Sequence, residues 1–278
     1  FYQGLDIGSA KPTVEEMDGV IHHLVSISPI TKELNASDFV ELAKKKIDEL
    51  HEQGIIPILV GGSAFYLRSL LRGMYDSRPT DEKLREEVKN LYETKGISSI
   101  IEYLKIHDPE STLALHQNDH YRLCRAYEYH LMTGLKISDQ KKKADDAGAY
   151  DFNENIHGWE TLNICLTIPK EEHWTIIEER TRQMLTQGLC AEVSNILSKE
   201  EHHQDLKPLK TIGYKEVIQY QNGEISSEKE LIEKIYFATR RLAKSQKTFL
   251  NKVEPLHRLH PLQERNKLYK LVDDFINE

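Results

Sequence analysis

A chain of 278 residues with 39% apolar and 29% charged side chains can bury one sizeable core and carry a second lobe or insertion. That balance excludes a disordered or membrane-embedded protein, and no apolar run approaches bilayer length or resembles a signal segment. The net charge of −8 argues against nucleic-acid binding through a globally basic surface, but it leaves room for a local basic groove.

Cys124, Cys165 and Cys190 stand far apart with no Cys-x-x-Cys pair, and read as reduced, buried thiols of a cytoplasmic protein. His22-His23 and His202-His203 have no partners at ligand spacing, so no metal-ligating residues are assigned. The chain opens without methionine at Phe1-Tyr2-Gln3-Gly4, and a segment upstream is expected. Gly8-Ser9-Ala10-Lys11 is a small-residue turn that either approaches a phosphate or is an ordinary surface turn.

Ser37 is the expected N-cap of a helix with Phe39, Leu42, Ala43, Ile47 and Leu50 on one face, closed by Gly54. Ile55, Ile56, Ile58, Leu59 and Val60 then read as a strand buried on both faces, although Pro57 suits a strand start better than a central ladder. Gly61-Gly62 breaks the run, and Leu67, Leu70 and Leu71 keep helical spacing up to Gly73. This order places Ser63 near a helix N-terminus, which favours an anion; an ordinary β-α connection has the same appearance.

Arg78-Pro79-Thr80-Asp81 reads as a turn into a helical span with segments at 84–94, 97–106, 109–116 and 119–133. Asn118 or Asp119 caps the last of these and Gly134 ends it, while Lys141 to Gly148 reads as a mobile connector. Leu162, Ile164, Leu166 and Ile168 alternate as a strand, followed by helices around Ile176–Leu185 and through Val193 and Leu197. Lys210 to Lys215 is a basic, glycine-containing stretch opening a further helix. Ser227-x-x-Glu230 is a capping box for a long helix with Leu231, Ile235, Ala238, Leu242 and Phe249 on one face. Arg240, Lys244, Lys247 and Asn251 lie off that face, with Arg241, Lys252 and Arg258 adding charge; the stripe suits a run of phosphates or is a solvated face.

These stretches resemble the tRNA dimethylallyltransferases of the IPP transferase family. The matching residues are Gly4 to Pro12, His22-His23-Leu24, Pro57 to Gly62, Asn118-Asp119 with Arg122 and Arg125, Met184, Gly188-Leu189, Ile212 to Glu216, and Ala243-Lys244 with Gln246 and Thr248. The resemblance implies an α/β fold: a phosphate-loop NTPase-like parallel-sheet core over residues 1–78 and 150–278, with a helical, tRNA-binding insertion over 79–149. It implies transfer of a dimethylallyl group from dimethylallyl diphosphate to N6 of adenosine 37, next to the tRNA anticodon, with Mg²⁺ as cofactor. A cytoplasmic monomer without membrane contact is expected. In the family, a Gly-rich phosphate loop and an Asp-Ser-Met-Gln motif, whose aspartate is the proposed general base, precede the position matching Phe1. The chain is therefore expected to be truncated at its N-terminus, without the pyrophosphate cradle and the proton acceptor.

By the same resemblance Ser63 matches a threonine that touches tRNA at the reaction centre, and Arg85 a further tRNA contact. Tyr121, Arg122, Leu123, Cys124 and Arg125 match a tRNA-contacting Gln-Arg-x-x-Arg tract, with tyrosine for glutamine. Lys210, Thr211, Ile212, Gly213, Tyr214 and Lys215 match another. So do Lys244, Ser245, Gln246, Lys247, Thr248, Phe249, Leu250 and Asn251, where Ser245 and Asn251 replace arginines and Phe249 a tryptophan. Arg180 matches an arginine that neutralises departing pyrophosphate, while Ile176 replaces a second one; a salt bridge to a neighbouring glutamate is the alternative. The rival readings are an adenylate isopentenyltransferase, a phosphate-loop nucleoside-phosphate kinase, and an RNA-binding protein without catalysis.

Overall fold

The computed structural model describes residues 1–74, 82–146, 148–199 and 204–277. They form two compact units, one of residues Phe1–Leu70 with Trp159–Glu278 and the other of Leu71–Gly158. The second unit is wider than the expected insertion at both ends. The turn expected at Arg78–Asp81 and the histidines His202-His203 lie outside the described residues.

In the first unit, helix α1 (Ala36–Glu52) is capped by Asn35 rather than by the expected Ser37. The Asn35 side chain accepts from the N–H groups of Ser37 and Asp38 at 2.7 and 3.2 Å, and Asp38 accepts from the Asn35 N–H at 2.7 Å. Two side chains thus answer each other across the first turn, which a serine two residues later cannot do. Ala43 and Ile47 of α1 pack with Leu70 of α2 (Ala64–Arg72) in a small cluster.

The run between these helices is where the structure departs most from expectation. Residues 55–60 form no strand. Ile58 and Val60 are 82% and 91% exposed, so the expected burial on both faces is corrected. The Ile55 N–H bonds back to Leu50 at the end of α1, and Pro57 has no donor. A buried strand needs a neighbour on each side, and the strands among the described residues pair with each other instead. These are β1 (Ile164–Leu166) and β2 (His257–Leu259), parallel, with Ile164 opposite His257 and Leu166 opposite Leu259.

The larger core of this unit lies under α7 (Lys170–Thr186), α8 (Leu189–Leu197), α9 (Tyr214–Gln221) and α10 (Glu228–Leu250). Leu189, Val193, Leu209, Tyr214, Val217, Leu231 and Ile235 fill it, together with Leu5 and Ile30 from the N-terminal loops. The capping residue of α10 is Ser227, whose hydroxyl accepts from the Glu230 N–H at 3.2 Å. Glu230 does not reciprocate on Ser227; its carboxylate takes the N–H and hydroxyl of Ser226. A helix α11 (Arg265–Asn277) follows β2, with no fully buried residue.

The second unit is helical, as expected. Helix α3 (Glu82–His107) is broken at Gly96, whose φ of 71° suits only glycine, so it is two helices joined end to end. With α5 (His120–Thr133) it buries Val88, Ile100, Leu104, Leu123 and Ala126. Asp119 caps α5 through the Arg122 N–H, and Gly134 ends it with φ of 69°. The expected connector at 141–148 is largely helix instead: α6 (Ile137–Asp146) covers most of it.

That helix is held at its start by the fully buried Asp108, which also caps α4 (Pro109–Ala114). Asp108 accepts from the hydroxyls of Ser111 and Ser138 at 2.6 and 2.5 Å and from both of their N–H groups. Burial alone would raise the carboxyl pKa; those four bonds outweigh it and hold the group below the usual range. A side-chain anchor thirty residues upstream thus orders a polar helix that composition alone does not support.

Candidate nucleic-acid interface

The sequence-expected residues fall into those that face outward and those that the fold has turned inward. Ser63 is exposed just ahead of α2, where its carbonyl accepts from Tyr66 and Leu67. One residue before it, the Gly62 carbonyl accepts from the Gln246 amide at 3.1 Å. A Cβ on Gly62 would stand 2.1 Å from that amide nitrogen. A larger residue at this position would push the glutamine amide aside and disturb the bond. That bond is a short tether that sets Ser63 beside α10.

Along α10 the outward groups of the expected tract are Lys244, Ser245, Lys247 and Thr248, all exposed, with exposed Asn251 as the C-cap. The Ser245 and Thr248 hydroxyls donate to the Arg241 and Lys244 carbonyls of the helix itself. Gln246, Phe249 and Leu250 are half-buried. The basic stripe is shorter than the sequence suggests. Arg240 lies with its guanidinium carbon 4.5 Å from the Trp174 ring centre of α7 and 5.1 Å from the Tyr236 ring, which makes it a packing residue between two helices. Arg258 donates to the Leu250 carbonyl at 2.9 Å and so closes the C-terminal end of α10. Leu242, expected on the apolar face, is 47% exposed, whereas Phe249 further along that face is half-buried.

The stretch from Lys210 to Lys215 divides in the same way. Lys210, Thr211 and Lys215 are exposed, whereas Gly213 and Tyr214 are buried and Ile212 packs against the core. Gly213 has φ of 92° and caps α9 by donating its N–H to Glu216 at 2.8 Å, a backbone shape that requires glycine. On α7, Arg180 is exposed and makes no ion pair among the described residues; the glutamate pair weighed for it belongs to Arg182 and Glu178, at 2.8 Å. The turn at Gly8-Ser9-Ala10-Lys11 offers no free lysine, since Lys11 donates to the Tyr2 carbonyl, Asp6 and Ser26 at 2.8, 2.5 and 2.8 Å.

In the helical unit, Arg85 is exposed on α3 and Tyr121 is 78% exposed at the start of α5. Arg122 is exposed and pairs with Asp119 at 2.5 Å, and Arg125 pairs with Glu128 at 3.1 Å. Leu123 is 1% exposed and Cys124 packs on the same core, where burial pushes its thiol pKa up. Both side chains pack into the helix bundle, Leu123 fully and Cys124 in part. Among the described residues, no group of three or more His, Cys, Asp or Glu side chains is arranged to hold a metal ion. The described residues therefore do not by themselves form a cage for the expected Mg²⁺.

The class these features define is an α/β protein that presents a short basic helical surface beside a glycine turn, with a separate helical unit. The family model described as IPP transferase matches residues 1–253. Among curated relatives, the tRNA dimethylallyltransferase 2 of Geotalea uraniireducens is 37% identical over 251 residues, 90% of this chain and 78% of that protein. The tRNA dimethylallyltransferase of Caldanaerobacter subterraneus is 37% identical over 249 residues, 89% of this chain and 76% of that one. A solved tRNA delta(2)-isopentenylpyrophosphate transferase from Staphylococcus epidermidis superposes with a TM-score of 0.65 at 31% identity, covering 100% of this chain and 88% of that one. A eukaryotic dimethylallyltransferase acting on tRNA shares the fold at a TM-score of 0.76 and 23% identity, over 100% of this chain and 70% of that one. The chain belongs to the IPP transferase family, and its architecture is of the phosphate-loop NTPase-like α/β type.

The residue that sequence reasoning missed is Glu192. It accepts from three successive backbone N–H groups and from a buried tyrosine hydroxyl. The available signal was an acid set in an apolar helix, one residue from Val193 and one turn from Leu189 and Ile196.

Proposed function

We propose that this chain acts in tRNA modification, transferring a dimethylallyl group from dimethylallyl diphosphate to N6 of the adenosine next to the anticodon. The observation that carries this reading is the tether between Gln246 and Gly62, which holds the turn bearing exposed Ser63 against α10, the helix that also bears the exposed lysines Lys244 and Lys247. Lysines track the phosphates of a loop, and a hydroxyl near them contacts the base or ribose. The adenine has to leave its stack before its amino group can react, so an enzyme of this kind needs a surface that grips the loop backbone. In the helical unit, taken by itself, exposed Tyr121 and Arg122 offer an aromatic face and a cation suited to RNA. Arg180, which makes no ion pair among the described residues, is the residue we assign to the departing diphosphate, whose charge Mg²⁺ would help to neutralise.

The test has two arms. Binding of a fluorescent tRNA anticodon stem-loop is measured across a salt series, and prenyl transfer is measured with Mg²⁺ and dimethylallyl diphosphate on that stem-loop and on free AMP. Salt-sensitive binding to the stem-loop and prenyl transfer to it, with no modification of AMP, is the expected result. Modification of AMP with indifference to the RNA would overturn the reading in favour of an adenylate isopentenyltransferase. Phosphate release from ATP with a small acceptor would instead indicate a nucleoside-phosphate kinase.

A further inference from the structure

Three stretches far apart in the chain meet on Glu192: the loop at Gly4–Lys11, the start of α8 and the start of α9. Half-buried on α8, Glu192 takes the N–H groups of Asp6 and Ile7 on Oε2, at 3.2 and 2.8 Å. Its Oε1 takes the Gly8 N–H at 3.3 Å and the Tyr214 hydroxyl at 2.7 Å. The tyrosine side is closed, since Tyr214 is 1% exposed. A Cβ on Gly8 would stand 2.6 Å from the Tyr214 ring and 2.9 Å from Leu189, so Gly8 is there for space. Burial, followed by the bond to Glu192, pushes the Tyr214 hydroxyl above the ordinary phenol range and keeps it a donor.

A core role alone does not explain a carboxylate here. An apolar side chain would pack against Leu189 and the Tyr214 ring at no desolvation cost. What a two-oxygen anion adds is the capture of three successive N–H groups, an arrangement that otherwise draws a phosphate from solution. The other face of the captured turn is at the surface: Asp6 and Ser9 are exposed, and so are Thr211 and Lys215, which flank the buried Ile212 to Tyr214.

We infer that Glu192 is a positioning residue for RNA engagement, locking the Asp6–Gly8 turn against the start of α9 so that Thr211 and Lys215 are held in one fixed geometry. This rests on the reading of Lys210–Lys215 as an RNA contact. Glu192 itself touches no RNA and acts through Tyr214 and the captured loop. With its N–H groups occupied, the Gly8 turn is a wall of the interface rather than a phosphate site.

The experiment compares wild type, Glu192→Gln, Tyr214→Phe and the double variant with Lys244→Ala/Lys247→Ala. Stem-loop affinity, melting temperature and hydrogen exchange at Asp6–Gly8 are measured at a temperature where each protein is folded by circular dichroism. Glutamine replaces one acceptor oxygen with a donor, so E192Q is expected to weaken RNA binding about tenfold and to speed exchange at Asp6–Gly8. Y214F keeps the ring that fills the core and is expected to weaken binding less, and the double variant no more than E192Q alone. Should E192Q fail to fold, Y214F decides the matter. Unchanged affinity in the folded clasp variants, with faster exchange at Asp6–Gly8, would make the cluster purely structural and overturn the inference. If K244A/K247A loses affinity while E192Q and Y214F keep it, only the positioning role fails. Absence of binding by the wild type would remove the RNA reading and the inference together.

Discussion

The two halves of α10 are one continuous helix with opposite fates. In its first half Leu231 and Ile235 are 0% and 2% exposed and close the core over α8 and α9. In its second half Leu242 is 47% exposed and Lys244 and Lys247 point to solvent. Arg240 marks the border, its guanidinium laid over Trp174. The apolar repeat continues through both halves, so hydrophobic spacing does not decide where burial stops. The limit is set by how far α7, α8 and α9 extend beneath it, and the free half is where a ligand can bind.

The largest test of that division is in the buried half. Leu231→Ala removes a fully buried side chain and is expected to cost about 3 kcal/mol of stability, read by urea unfolding with an unchanged slope. RNA affinity at a temperature where the variant is folded should stay at the wild-type level; a loss there would mean the halves are coupled. Lys244→Ala/Lys247→Ala is the reciprocal test. It is expected to lower stem-loop affinity about tenfold at moderate salt and to flatten the salt dependence by about one to two phosphate contacts. The melting temperature should not move. A variant that bound RNA normally would take the free half out of the interface.

The border itself is the next test. Arg240→Met keeps the aliphatic stem but removes the cation over Trp174 and the donor to Tyr236, at 3.3 Å. A loss of about 1 kcal/mol is expected, with a shift in tryptophan emission. A larger effect on RNA affinity than on stability would return Arg240 to the basic stripe.

Much of this was legible from sequence where a local signal was self-sufficient. Asp119 and Gly134 bracket α5 as expected because cap chemistry is local. Ser227 starts α10 for the same reason. Signals that depend on distant partners were not legible. The run at Ile55–Val60 reads as a buried strand, but pairing is a property of two segments, and among the described residues no strand pairs with it. The capping box of Asn35 with Asp38, three residues on, is by contrast a local signal that was present and not read. The helix at α6 forms because Asp108, buried thirty residues away, holds Ser138 at its start. Helix α11 carries Leu268, Leu271, Val272 and Phe275 at helical spacing, a signal that was present and not read. In the site, the resemblance matched stretches as units, whereas the fold divides each one by face. Leu123 and Tyr214 went inward with the core, and Tyr121 and Lys215 stayed outside. Glu192 stood out only as an acid in an apolar helix, because its partners lie in residues 6–8 and 214.

The smallest expected effect is also the sharpest probe of where burial ends. Leu242 occupies a position that the helical repeat assigns to the core, and the structure leaves it 47% exposed. Leu242→Ser is therefore expected to change stability by less than about 0.5 kcal/mol, the range of surface substitutions. Leu231→Ala, three helical turns earlier, should exceed it several-fold. If L242S costs as much as a core truncation, something apolar covers that side chain in solution, and the outer half of α10 is not the open surface described above. If it is neutral in stability yet weakens stem-loop binding, Leu242 belongs to the interface, beside Lys244 and Lys247. Chemical denaturation and the binding titration on this one variant separate the two outcomes.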